Sequence, residues 1–73
     1  MPRRLKLTPL QRDITWALEE AGAETIRALI ATIKPSSEAE FEQDAEGLIT
    51  LGLIRRENDR FILTERGRKA LTE

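Results

Sequence analysis

The stretch LITLGLIRRENDRFILTERGRKAL, residues 48–71, decides the fold of this chain. It opens as the end of a helix, and Gly52 allows the backbone to leave that helix and turn sharply. Two short strands are predicted over residues 53–56 and 61–63, on either side of the polar loop 57–60. The centre of the loop, Asn58-Asp59, tolerates a positive φ and suits a tight turn. The stretch therefore predicts a β-hairpin that follows a helix directly.

Three further helices are predicted, two of them before the helix that leads into the hairpin and one after the hairpin. A short link joins the first helix to the second, and a tight Lys34-Pro35-Ser36 turn joins the second to the third. The last helix ends near Leu71. The predicted N-caps are Thr8, Thr25, Ser37 and Thr64, and the first three helices end at Gly22, Lys34 and Gly52.

This order of helix, helix, helix, hairpin and helix is that of a helix-turn-helix with a wing. The residues Leu48-x-x-x-Gly52-Leu53-Ile54, with Phe61-x-Leu63-Thr64-x-x-Gly67-Arg68-x-x-Leu71 after the hairpin, resemble the signature of many winged-helix regulators of bacteria and archaea. The resemblance covers roughly residues 8–73. It implies a mainly α fold with a small β-hairpin (α+β), in which a three-helix core carries a wing and a short C-terminal helix. Residues 1–7 are expected to be an N-terminal arm. A generic helical domain with an accidental hairpin is the alternative.

Composition narrows the class of function. The 73 residues suffice for one domain, and they include neither cysteine nor histidine. The usual general base, the commonest metal ligands and disulfides are therefore missing, so we expect no enzyme, no cofactor and no metal site. No apolar run approaches the roughly 20 residues of a membrane span, and no signal-peptide core follows the N-terminus. These features predict a cytoplasmic protein without a membrane partner.

The resemblance implies DNA binding, as in a small transcriptional regulator whose third helix enters the major groove. The outward positions of that helix depart from this pattern. Gln43 and Thr50 can donate hydrogen bonds to a base or phosphate, whereas Glu40, Glu42 and Glu46 would meet negatively charged phosphates. We therefore expect the third helix to contribute little to DNA contact.

The wing and the arm are the stronger candidates for contact with phosphate. Arginine pairs with phosphate through two parallel hydrogen bonds. Glu57 and Asp59 dilute the positive charge of the wing, so a solvated hairpin is the alternative there, and a solubilising tail is the alternative for the arm. The candidate residues are Arg55, Arg56 and Arg60 in the wing, and Arg3, Arg4 and Lys6 in the arm.

A second interpretation is a protein-interaction module, nearly equal in weight to DNA binding. Its candidate surface is the acidic third helix, with Glu40, Glu42 and Glu46 facing a basic partner, together with Trp16. Trp16 lies on the side of the first helix opposite the apolar residues. The favoured interpretation is that the chain covers it, through Leu5 and Leu7 or through Ala70 and Leu71; an uncovered Trp16 would indicate a homodimer through the first helix. The apolar residues of that helix are Leu10, Ile14, Ala17, Leu18 and Ala21.

Overall fold

The structure is a computed structural model that describes residues 6–72. In this part of the chain, four helices and a three-stranded antiparallel sheet form an α+β fold. The elements in chain order are α1 (Pro9–Ala21), β1 (Ala23–Thr25), α2 (Ile26–Ile33), α3 (Glu38–Thr50), β2 (Ile54–Glu57), β3 (Arg60–Leu63) and α4 (Glu65–Thr72).

The predicted helix caps are confirmed by hydrogen bonds. Thr8 forms a complete capping box with Gln11, and the hydroxyls of Thr25 and Ser37 accept from backbone amides at 3.1 and 3.0 Å. Each of these bonds satisfies an amide that has no partner within its helix. Gly22 ends α1 at a φ of 80°, and Lys34 ends α2 in the left-handed region.

The segment between α1 and α2 differs from the prediction of a plain link. Ala23–Thr25 forms a strand, β1, that pairs antiparallel with β3. The sheet order is therefore β1-β3-β2, with the second strand of the hairpin at its centre. Three residues are too few to show a period in the sequence, and only the neighbouring strand reveals their pairing.

The hairpin is confirmed, although β2 begins and ends one residue later than predicted and β3 begins one residue earlier. Glu57 and Arg60 pair across β2 and β3, so the loop contains only Asn58 and Asp59, and Asn58 has the expected positive φ, 58°. Leu53, predicted as a strand residue, instead links three elements. Its amide donates to Leu48 in α3, and its carbonyl accepts from the amide of Thr64.

The core lies between the helices and the inner face of the sheet. Phe41 of α3 and Phe61 of β3 meet there with ring centroids 6.3 Å apart, a separation typical of aromatic pairs. The face of α1 that is buried is rotated from the predicted one, because Gln11 and Thr15 are buried while Ala21 is exposed. The apolar core residues are Ile14, Leu18, Leu29, Phe41, Ala45, Leu48, Leu53, Ile54, Phe61 and Leu63.

Two buried polar side chains of α1 are fully hydrogen-bonded, which explains why the core tolerates them. The hydroxyl of Thr15 bonds to the carbonyl oxygens of Gln11 and Arg12. The side-chain amide of Gln11 donates to the backbone carbonyl of Asp44 at 3.1 Å, and this bond connects α1 to α3. Gly47 makes room for that amide, because a Cβ at position 47 would lie 2.7 Å from Gln11 Nε2.

Candidate nucleic-acid interface

The hairpin divides its three candidate arginines between two faces. Residues directly opposite one another in an antiparallel pair lie on the same face of the sheet. Arg56 is opposite Phe61, which is buried, so Arg56 belongs to the inner face. Arg55 is opposite Ile62, and Arg60 is exposed in the next alternate position, so these two belong to the outer face. The structure therefore does not bring the three arginines into one patch.

Glu57 lies on the outer face and competes for both of its arginines. Its carboxylate forms a salt bridge with Arg55 at 3.1 Å, and its register partner across the hairpin is Arg60. The salt bridge is solvent-exposed, with 62% and 54% of the two side chains accessible, so it contributes at most about 1 kcal/mol to stability. A phosphate can replace this partner at small cost.

Arg56 faces α3 across a small groove of about 250 Å³. The groove is also lined by Glu42 and Glu46, so the acidic side of α3 and this arginine share one surface. The Arg56 Nε donates to the backbone carbonyl of Asn58 at 3.0 Å. Arg56 therefore has polar neighbours within the chain and lies on a different face of the hairpin from Arg55 and Arg60.

The tip of the hairpin is fixed to the body of the domain. The carbonyl of Asp59 accepts from the amide of Ile26, the first residue of α2, at 2.8 Å. That amide would otherwise be one of the unpaired donors at a helix N-terminus. The hairpin is therefore held to the body at its tip as well as at its base.

The exposed face of α3 carries the acidic residues that the sequence placed there. Glu40, Glu42 and Glu46 are all exposed, and none of them forms an ion pair with a described residue. The two candidate donors, Gln43 and Thr50, are exposed as well. A helix with this surface would place carboxylates against phosphates if it entered a groove of DNA.

Charge is distributed unevenly along the described chain. Residues 6–52 carry nine acids against four bases, whereas residues 53–72 carry six bases against three acids. The basic segment 53–72 contains the hairpin and α4, on which Arg66 and Arg68 are exposed. Neither arginine is among the site residues predicted from the sequence, although Arg68 belongs to the winged-helix-like motif and bases are in excess near the C-terminus.

The predicted arm lies mostly outside the described residues, and this includes Arg3 and Arg4. Lys6 is described and exposed. Leu7 packs against the core cluster, so the chain is anchored from this residue onward.

Trp16 is exposed to 66%, which makes the prediction of intramolecular cover wrong for the described residues. Leu7, Ala70 and Leu71 pack against the core cluster instead, and Leu5 lies outside the described part of the chain. The physical reason is the orientation of α1. Its buried side centres on residues 11, 14, 15 and 18, so position 16 points away from the domain.

The described surface offers charged and hydrogen-bonding groups. Within residues 6–72, no cluster of three or more acidic residues is arranged to hold a metal ion. Of the helices in that range, none has the length and apolar character needed to cross a bilayer. The guanidinium groups on the outer face of the hairpin are suited to binding phosphate.

Comparisons of this chain with protein-family models, with curated proteins and with solved structures found no match.

Proposed function

We propose that this protein is a small winged-helix DNA-binding module, as in a transcriptional regulator, and that it contacts the phosphate backbone through the outer face of its hairpin. The observation that carries the proposal is the pair Arg55 and Arg60, which project from the same face of a hairpin fixed to the body. Because the backbone of the hairpin is hydrogen-bonded to the body, binding of phosphate needs to order only the arginine side chains and not the hairpin itself.

The arrangement of α2, the turn at residues 34–37, α3 and the hairpin supports the proposal. It is the order found in helix-turn-helix proteins with a wing. A fold of this kind also serves other purposes, so the order of elements alone does not establish DNA binding. The excess of bases over residues 53–72 is the second support, because a concentrated positive region attracts DNA even when the whole chain is slightly acidic.

The acidic face of α3 determines how the domain would sit on DNA. Deep insertion of α3 into the major groove would bring Glu42 and Glu46 close to phosphates. We therefore infer a shallow mode in which the hairpin, α4 and the N-terminal arm contact the backbone. Such contacts give affinity that depends strongly on salt and little on sequence.

The test is binding to a mixed-sequence fluorescent duplex, followed by anisotropy at about 50 and 200 mM salt. The variants Arg55→Gln and Arg60→Gln should weaken binding, and each should reduce the salt slope by about 0.9 for one lost phosphate contact. Arg12→Gln is the matched control, because it removes an equal charge from an exposed position on α1.

The variant Glu57→Gln should tighten binding, since it frees Arg55 and Arg60 from their competing carboxylate. The proposal fails if the protein does not bind at the lower salt concentration, or if the two arginine variants behave like Arg12→Gln. Tighter binding by Glu42→Gln and Glu46→Gln than by Glu57→Gln would show that α3 docks more deeply than we propose.

The second candidate is a protein-interaction module whose acidic third helix binds a basic partner. The exposed carboxylates Glu40, Glu42 and Glu46 favour it, because none is neutralised by an ion pair within the described chain. In that case Glu42→Gln and Glu46→Gln would abolish capture of the basic partner, and any DNA binding of the wild-type protein would be unchanged in these variants. Arg55→Gln would have no effect on that capture.

A further inference from the structure

We propose that the groove beside Trp16 binds a lysine- or arginine-rich segment of a partner protein, with one cationic side chain stacked on the indole ring. The inference concerns α1 and α2 and uses none of the hairpin residues assigned to DNA. We call this surface the Trp16 groove, and it is lined by Asp13, Trp16, Ala17, Glu20, Thr32 and Ile33.

The exposure of Trp16 is the first step of the argument. A tryptophan with 66% of its surface in water contributes little to the stability of the fold. Aromatic residues of this kind are enriched at protein interfaces, where they supply a large and rigid contact area. Ala17 and Ile33 give the groove an apolar floor beside the ring. The surface therefore has the composition of a contact site.

The charges around Trp16 identify the kind of partner. Asp13 and Glu20 lie three residues before and four residues after Trp16, so all three side chains are neighbours on one side of α1. Among the residues that the structure describes, no basic one lines the Trp16 groove. A lysine or arginine over the indole face would gain a cation–π contact and could pair with either carboxylate. An acidic partner would be repelled.

The Trp16 groove continues along α1 into a second groove, and this continuity indicates an extended ligand. The second groove runs past the turn between α2 and α3, and the two share Asp13 and Ile33. It adds the carboxylates of Glu40 and Asp44, and Lys34 is its one basic lining residue among those described. The distance along α1 from Trp16 to Pro9 is about 10 Å, which an extended chain spans with about three or four residues.

A second copy of this protein fits the surface less well. In an antiparallel pair of α1 helices centred on Trp16, Asp13 of each copy would face Glu19 of the other. The contacts between Arg12 and Glu20 would be favourable, but they would only balance this repulsion. A parallel pair would place each acid beside its own counterpart. Charge complementarity therefore favours a basic segment over a homodimer.

The experiment uses the fluorescence of Trp16, which is the one tryptophan of a chain that lacks tyrosine. The full chain is titrated with hexaarginine and with hexaglutamate at low salt. We expect hexaarginine to change the Trp16 emission with saturation, and hexaglutamate to leave it unchanged. No saturable change up to about 1 mM hexaarginine would overturn the proposal.

Matched variants separate this groove from general electrostatic attraction. The double variant Asp13→Asn with Glu20→Gln should weaken hexaarginine binding about fivefold more than Glu19→Gln plus Glu24→Gln, which removes the same charge outside the groove. Equal weakening by the two double variants would contradict the proposal. Sedimentation of the protein alone provides the last comparison, because self-association that alters Trp16 emission would assign the surface to a second copy instead.

Discussion

The substitution Gly67→Ala should destabilise the domain strongly, although alanine is the better helix former. Gly67 lies buried in α4 with its Cα against the chain that leaves α3. A Cβ at this position would overlap the carbonyl oxygen of Leu53 and lie 2.8 Å from Leu63 Cδ1. Carbon atoms in contact prefer separations of about 3.5–4.0 Å, so α4 would have to move away from the hairpin.

The size of the effect follows from what that movement breaks. The Leu53 carbonyl accepts from the Thr64 amide at 3.0 Å and from the Thr64 hydroxyl at 2.9 Å. The Thr64 hydroxyl can still donate to the Gly52 carbonyl at 2.6 Å, but leaving the Leu53 carbonyl without its donors costs about 2 kcal/mol, and overpacking adds about 1–3 kcal/mol. Because alanine is a better helix former than glycine, the substitution also stabilises α4 by about 1 kcal/mol. The net loss in the free energy of unfolding is therefore about 2–4 kcal/mol.

Urea denaturation followed by far-ultraviolet circular dichroism measures this loss directly. A change of this size corresponds to a fall in Tm of roughly 10–25 °C for a domain of this length. Arg68→Ala, one residue further along α4 and exposed, should change the stability by less than about 0.5 kcal/mol. A Gly67→Ala variant as stable as Arg68→Ala would show that α4 does not pack on Leu53 as described.

Substitutions at three further positions test other parts of the fold. Thr64→Val should cost about 1–3 kcal/mol in chemical denaturation, because its hydroxyl accepts from the Gly67 amide and bonds to the Gly52 carbonyl; no loss would exclude a capping role. Lys34→Val should lower the free energy of unfolding by about 1–2 kcal/mol in the same denaturation experiment, since the φ of 55° at this position disfavours a β-branched side chain. Lys34→Gly should not lower it, because glycine adopts a positive φ readily. Trp16→Ser should leave the free energy of unfolding within about 0.5 kcal/mol of the wild-type value, because the ring is exposed. A large loss of stability would mean that the ring is covered.

The layout of charge has a consequence for both proposals. Because the acids are concentrated in residues 6–52 and the bases in residues 53–72, DNA would be attracted to the hairpin and α4 and repelled from α1 to α3. A basic protein would experience the opposite preference. The domain could then bind both partners at different surfaces, and added salt would weaken both interactions.

The sequence determined those features that depend on neighbours along the chain. Caps such as Thr8 and Ser37 sit beside the amides that they satisfy, and the hairpin turn needs only Asn58 to adopt a positive φ. Such interactions are local, so their residue types can be recognised at fixed spacings. The acidic outward face of α3 was predicted for the same reason, because helical periodicity places residues on faces.

Tertiary structure decided everything that depends on contacts between distant segments. The strand β1 exists because Ala23–Thr25 finds an unpaired edge of β3, nearly forty residues away in the chain. The separation of Arg56 from Arg55 and Arg60 follows from the register of that sheet. The rotation of α1 buries Gln11 and Thr15, and Trp16 stays exposed because Leu7, Ala70 and Leu71 pack against the core cluster instead of covering the ring. Rotation and register are set by packing of the whole core, and no local pattern in the sequence encodes them.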